Sequence, residues 1–430
     1  MKPWNVLAVI LSTVLVVLAS GARVIRHHDP QEQEAPAGFT TPTLSEDPGS
    51  QSVSNGIVQP PNDTFAMDQA AFEEADGVDT GLGPVFNARS CADCHQNPVT
   101  GGVSQVAEFR AGHYDRRGNF VNPNISINNN QNVIPNRSLV NDRAVCPEAQ
   151  ERAPKSEAVR ALRMSLNTLG DGFVEAIDDS TLQAIAQQQP ALSGGKIAGQ
   201  FIQVPVLEAP GQTRIGRFGW KDQHASLLSF SSDAYLNEQG ITNRLNMTDT
   251  TTVCKTSNDP EDGTDEVGMA DIDHFAQFIR GTQAPPVDAT LMASSDAQAG
   301  QQIFTQVGCA ICHVTAITTA PAGTVINGGT FTVPDALGSK IIHPYSDFLL
   351  HNIGTGDGIV QNGPPDTGYK VRTTPLWGLR THDRLMHDGL SATREQAILR
   401  HKGEASGVVA SFQGLSPTQK SQLLTFLNAL

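Results

Sequence analysis

Cys91-Ala92-Asp93-Cys94-His95 and Cys309-Ala310-Ile311-Cys312-His313 are two copies of one five-residue pattern. Two thiols three residues apart can add to the vinyl groups of a haem, and the imidazole that follows then becomes an axial ligand of the iron. Covalent attachment keeps the cofactor in place even where its pocket opens to solvent. A zinc knuckle would need further Cys or His at close spacing, and neither motif has another cysteine nearby. The pattern therefore implies two covalently bound haems c, held by Cys91, Cys94, Cys309 and Cys312, with His95 and His313 as proximal ligands.

Such chemistry needs an oxidising compartment, and the start of the chain fits one. Residues 1–22 have the form of an export signal: Lys2, an apolar run from Val6 to Ala19, and the small residues Ser20-Gly21-Ala22. The alternative is an uncleaved N-terminal anchor, in which case the protein would sit on the inner membrane. Either way the body is expected in the periplasm. Two cysteines remain, Cys146 and Cys254. In an exported protein a leftover pair forms a disulfide; the alternative is two buried free thiols. The formal net charge of -15 excludes nucleic acid as a partner and points to basic proteins.

The elements that position the motifs are partly legible. Residues 23–61, rich in Pro, Glu, Gln and Ser, read as a flexible linker. A first haem domain is expected over 62–283, and a C-terminal cytochrome c domain over 284–430, divided at Ala284-Pro285-Pro286. In the second, Gly300, Ile303, Phe304 and Val307 share one helical face just before Cys309. Gly300 would allow a close helix crossing, and Phe304 would cover the haem edge. Ser416 and Gln419 form a capping box ahead of Leu423, Leu424, Leu427 and Leu430. The first domain closes on Ile272, Phe275, Ala276 and Ile279 at helical spacing.

Between these lies a long insertion. Residues 122–136 read as an Asn-rich loop, Glu157 to Ile185 as partly helical, and Phe201 to Leu207 as a short strand. The fold class expected is mainly α: two tandem cytochrome c-like haem modules with long loop insertions and a few short strands. The insertion is too long for a plain electron carrier.

What occupies the second face of each iron decides the chemistry. A second strong ligand makes a relay; an open position admits a small oxidant. The remaining candidates are His113, His224, His274, His343, His351, His382, His387 and His401. His274, inside the closing helix, reads as a packed or surface residue, and His343 and His382, in polar loops, as solvent-facing.

Tyr345–Gly354 (YSDFLLHNIG), Arg372–Leu379 (RTTPLWGL), Met386–Glu404 (MHDGLSATREQAILRHKGE), Arg217–Lys221 (RFGWK) and the CHQNPVTGGV run resemble a known group. It comprises the dihaem oxidoreductases labelled "thiol oxidoreductase" or putative peroxidase, relatives of bacterial dihaem cytochrome c peroxidases. The resemblance covers nearly the whole chain after the linker. It implies a displaceable distal ligand for the first iron at His113, in the Gly101-Gly102-Val103 … Gly112-His113 pattern, with His224 as the rival. It implies a distal ligand for the second iron at His401, where peroxidases usually carry methionine. The residues agree, since Thr393 and Gln396 can cap a helix on which Ala397, Ile398 and His401 share a face. His387 would hydrogen-bond near the haems, and His351 would pack beside the second. Calcium is not carried over, because His382-Asp383-Arg384 replaces the relatives' Thr-x-Pro stretch. Glu175 is the candidate acid–base residue, against a plain surface glutamate. Trp220 or Trp377 could bridge the haems, against simple packing.

The function expected is a haem-dependent oxidoreductase that reduces hydrogen peroxide or a related oxidant with electrons from a small, basic donor cytochrome. The alternatives are a dihaem relay without substrate chemistry and an oxidase of a partner protein by long-range electron transfer.

Overall fold

The computed structural model describes residues 32–38, 54–127, 132–134 and 137–430. The expected export signal and most of the linker lie outside the described residues. Among those described, no helix is long and apolar enough to cross a membrane.

Each haem motif sits against a crossed helix pair. In the first half, Thr64 caps the helix Phe65–Glu73, its hydroxyl accepting from the Met67 amide at 3.2 Å. That helix packs on Asp271–Gly281 through Phe65 stacked on Phe278 (5.4 Å) and Phe72 wedged between Phe275 (6.1 Å) and Phe278 (4.8 Å). Burying an aromatic such as Phe72 contributes about 1.5–3 kcal/mol. The same ring lies 6.3 Å from the His95 imidazole. The second half repeats the device. Helix Ser295–Val307 crosses helix Pro417–Ala429 so closely that a Cβ on Gly300 would lie 2.0 Å from the Gln422 carbonyl oxygen. Phe304 stands 5.4 Å from Phe426 and 6.2 Å from the His313 ring. The capping box forms as expected, Gln419 Oε1 accepting from the Ser416 amide at 3.0 Å and Ser416 Oγ from the Gln419 amide at 3.3 Å.

A mainly α class does not hold: helix accounts for 33% and strand for 15%, spread over many small sheets. The largest lies in the insertion. Strand Ala107–Tyr114 pairs antiparallel with Phe120–Val121, Leu139–Val140 and Val159–Met164. Helix was expected from Glu157 on, but Val159–Met164 is a strand, and helix begins at Asp171. The alternation in VRALRM was the available signal: Ala161 and Arg163 are buried while Arg160 and Leu162 are exposed. Gln203–Pro205 is the strand expected near there, and it pairs with Thr213–Ile215.

A linker strand docks on the second half, and the two halves share a core. Gln33–Glu34 forms a parallel pairing with Lys340–Ile341. One core combines Phe173, Phe275 and Phe278 of the first half with Ile317, Phe348 and Trp377 of the second. Cys146 and Cys254 are disulfide-bonded across a sequence separation of 108 residues. Closing a loop of that length removes chain entropy from the unfolded state. Replacing both cysteines by Ala should therefore lower unfolding free energy by about 2–5 kcal/mol, measured by denaturant titration; an unchanged midpoint would contradict this.

Candidate haem sites

The second motif opens on a cavity of about 590 Å³, the size of a cofactor site. Cys309, Cys312, His313 and His401 all line it, together with Leu423 and Leu427 of the last helix. Two histidines are presented alike. The His313 Nδ1–H donates to the Tyr345 carbonyl at 2.8 Å, and the His401 Nδ1–H donates to the Ala397 carbonyl at 2.7 Å. A carbonyl only accepts, so the proton is fixed on Nδ1 and each Nε2 keeps its lone pair, the arrangement a metal-ligating imidazole needs. Burial pushes both rings towards the neutral form, His313 to about 4; His401 and His351 lower His313 further, and Arg400 lowers His401.

His401 owes its place to the short helix Arg394–Arg400. Thr393 Oγ1 caps it, accepting from the Gln396 amide at 3.1 Å, and Gln396 Oε1 accepts from the Ala392 amide at 2.9 Å. His351 is a different kind of residue. Its Nε2 faces Asp347 (2.8 Å) and its Nδ1 faces Glu404 (2.9 Å), beside Cys312 Sγ at 3.9 Å. Burial alone would lower its pKa, but the two carboxylates outweigh it and raise it well above the ordinary value. It is an imidazolium clamp on the motif, with neither nitrogen available for iron. His382, expected in solvent, lines the cavity instead, and burial lowers it to about 4. His343 is exposed, bonded to the Thr315 carbonyl and to Glu34.

The cavity continues to the first half. Its far wall includes Val103 and Leu166 on loops beside the first motif, and Trp220. The Trp220 Nε1–H donates to the Met164 carbonyl at 2.8 Å, and the ring meets His387 edge-on at 5.9 Å. His387 in turn donates from Nε2 to the Thr355 carbonyl, leaving a buried Nδ1 with no partner. Trp377 instead sits in the shared core against Gly170. Of the two tryptophans, only Trp220 lines this wall.

At the first motif, the His95 Nδ1–H donates to the Gly102 carbonyl at 3.2 Å, the Leu166 backbone also supports the ring, and burial favours its neutral form. Burial pushes the Cys94 thiol up to about 12, with Glu238 next in effect and Glu108 adding to it. Cys309 is likewise pushed up to about 12 by burial. Thiols held so firmly protonated are poor dithiol redox centres.

The structure gives His113 and His224 carboxylate partners outside this motif. His113 lies on the Ala107–Tyr114 strand with Nδ1 2.7 Å from Glu157, in a surface depression that includes no residue of the motif. The His224 Nε2–H donates to Asp233 at 3.1 Å. Glu175 is neither on the surface nor free to exchange a proton. It is 0% exposed, accepts from Arg280 (2.7 and 3.1 Å), Asn327 Nδ2 (2.9 Å) and the Leu227 amide (2.8 Å). Burial opposes its ionisation, but Arg280 outweighs that and holds its pKa below the usual range. It is an anchor between elements.

The charges of Glu238, Asp93 and Glu108 reach Cys94, and Gln239, next to Glu238, has its side-chain amide 3.6 Å from Cys91 Sγ. Sequence reasoning missed Glu238 and Glu108. Glu238 sits on a π-helical turn, Tyr235–Gln239, a rare geometry frequent at functional sites. The turn is pinned there: the Glu238 carbonyl accepts from the Asn87 and Ala88 amides (2.7 and 3.1 Å), and its carboxylate accepts from Asn87 Nδ2 at 2.7 Å. Burial, then the Glu108 carboxylate, pushes Glu238 up to about 8. Burial also opposes ionisation of Glu108, but Arg110 and Arg163 outweigh it and keep its pKa low. Arg110 accounts for most of that, donating from Nε at 2.5 Å and Nη2 at 2.9 Å. One proton is thus carried by the pair, on Glu238, at neutral pH. The sequence held only a faint signal, a glutamate shortly before Gly240, whose left-handed φ of 74° ends the turn.

The residues fit the cofactor that the motifs imply. Three imidazoles, His95, His313 and His401, are oriented through Nδ1–H, and two of them line a cofactor-sized cavity. Residues 148–430 match the family described as "Di-haem oxidoreductase, putative peroxidase", a stretch that contains the second motif and begins after the first. A comparison with curated proteins returned no match. Among solved structures, a MauG-like protein associated with microbial copper homeostasis is 21% identical, with 37% of this chain and 52% of that chain covered and a TM-score of 0.25. This chain thus spans about half the length of that protein. Kuenenia stuttgartiensis hydrazine synthase, pressurised with xenon, is 12% identical, with 92% of this chain and 99% of that chain covered and a TM-score of 0.36.

Proposed function

We propose, from the premise that this chain belongs to the di-haem oxidoreductase, putative peroxidase family, that it is an exported c-type enzyme reducing hydrogen peroxide or a related small oxidant. The family makes it a haem-dependent redox protein; covalent attachment through the four motif cysteines, the periplasm and the oxidant are our reading. The observation that carries it is an asymmetry. The second site is lined by two oriented imidazoles, His313 and His401, whereas the first has His95 and a carboxyl–carboxylate pair whose charges reach Cys94. Two strong ligands suit a relay, and a single ligand beside an acid suits chemistry on a small molecule.

Haem at the first site, when bound, would supply the electrons that cleave an oxygen–oxygen bond. The chain's own contribution is to move the proton. Glu238 holds it on a carboxyl at neutral pH and can pass it to the departing oxygen. Glu108, kept ionised by Arg110 and Arg163, restrains where that proton rests. Two carboxyls whose surroundings drive their pKa values apart are the usual basis for such a division of labour. Trp220 and His387 line the cavity in edge-on contact with each other.

The net charge of -15 suits a small basic donor cytochrome, with electrons entering at the second site. The test is turnover of peroxide by mature protein with a reduced basic cytochrome, together with the spin state of each iron. Catalytic turnover in donor excess, one low-spin and one high-spin haem, and rates that fall as salt rises are expected. Two low-spin haems that give up only the electrons they store would establish the relay alternative instead.

A further inference from the structure

A second cluster of chemistry-bearing residues lies on the first helix pair. Asp63 precedes the helix Phe65–Glu73, Asp68 lies on its first turn, and His274 lies on Asp271–Gly281. One ligand atom of each falls within 4.8 Å of the others, and all three residues are buried. The two aspartate side chains are 0% exposed. Nevertheless Asp63 Oδ2 and Asp68 Oδ2 have no hydrogen-bond partner. Buried carboxylate oxygens left unsatisfied are costly unless something cationic completes them. Among the described residues, the ion-pair contacts of both run to His274 alone, at 2.8 Å for Asp68 and 3.8 Å for Asp63.

The orientation of His274 adds an independent observation. Its Nε2 faces a third carboxylate, Asp265 Oδ2, at 3.2 Å, while Nδ1 faces Asp68 and Asp63. An outer carboxylate holding one N–H of an imidazole is the usual arrangement around a protein-bound metal ion. The other nitrogen here shares a proton with Asp68, which an ion would displace. Unlike the carboxylates around His351, both aspartates keep an unpartnered oxygen.

We propose that Asp63, Asp68 and His274 form a structural site for a divalent transition-metal cation, zinc in particular, with Asp265 orienting the histidine from outside. The donor set of one nitrogen and two carboxylate oxygens is one zinc accepts, and calcium, which takes oxygen alone, does not use imidazole. Ligands about 2 Å from a common ion need only small side-chain shifts from the present spacing. The ion would cross-link the two helices whose Phe72 and Phe275 meet beside His95. It therefore braces the first haem site without taking part in its chemistry.

The experiment uses the mature protein with both haems, stripped with a chelator and titrated with zinc chloride. One zinc per chain, a raised Tm and a zinc-edge X-ray absorption shell of nitrogen and oxygen only are expected. Asp68→Asn and His274→Gln should each weaken binding at least 10-fold, and Asp265→Asn should weaken it roughly 10–100-fold. No stoichiometric uptake by the wild-type protein would overturn the proposal, and that measurement needs no variant to fold. Sulfur in the shell, binding unchanged in Asp63→Asn/Asp68→Asn, or uptake of calcium but not zinc would overturn it as well.

Discussion

Glu238→Gln lowers peroxide turnover by roughly 10²–10⁴-fold, the range a positioned acid–base group contributes, while both haems stay attached and the fold is retained. The substitution is nearly isosteric and keeps the acceptor for Asn87 Nδ2 (2.7 Å), so the π-helical turn keeps its side-chain support. It removes the one proton that the Glu108–Glu238 pair carries. The pH profile gives a second reading with a definite sign. Burial and the Glu108 charge push Glu238 up to about 8, so its acid form is present below that pH and lost above it. Wild-type turnover should therefore fall as pH rises through about 8, and that limb should vanish in the variant. A variant with full activity, or one that keeps the alkaline limb, would remove Glu238 from the chemistry. Glu175 shows the contrast. Its carboxylate is fully buried and paired with Arg280, so Glu175→Gln breaks a structural pair, and the loss should register in stability before it registers in the pH profile.

The difference between these two glutamates explains what could be read from the chain alone. The haem motifs were legible because covalent attachment requires five residues in fixed order. The crossing of Gly300 under Phe304 and the capping box at Ser416 were legible because helix packing and capping are short-range patterns. The disulfide followed from counting cysteines. The sheet around Ala107–Tyr114 was not, because its partners lie as far away as Val159–Met164 and its strands are short and only half alternating. Glu238 and Glu108 come together only through that sheet and the turn at Tyr235–Gln239. His113 carried a suggestive glycine–histidine pattern, yet pairing opposite Val121 turns it to Glu157, away from the motif. Long-range register decided what local pattern could not.

Replacing His401 by methionine should raise the reduction potential of the second haem by about 0.1 V or more, within the ~0.8 V that axial ligation spans. The argument starts from the helix Arg394–Arg400. Its last carbonyls have no partner within the helix, and the Ala397 carbonyl is taken by the His401 Nδ1–H at 2.7 Å. That bond fixes the tautomer and leaves Nε2 unprotonated on a residue that lines the same cavity as His313. It also makes the imidazole more basic, and the negative end of the helix dipole adds to this. An electron-rich nitrogen favours the oxidised iron, whereas a thioether sulfur favours the reduced one. A shift of about 0.1 V for a one-electron couple is a change of roughly 50-fold in the equilibrium for accepting an electron, at 59 mV per tenfold. Electrons would then rest at the second site, and turnover should become limited by their departure from it. Redox titration of the two haems separately measures the shift. A potential that stays where it was would mean that the nitrogen of His401 does not reach the iron, and the relay would have to be built from another residue of that cavity.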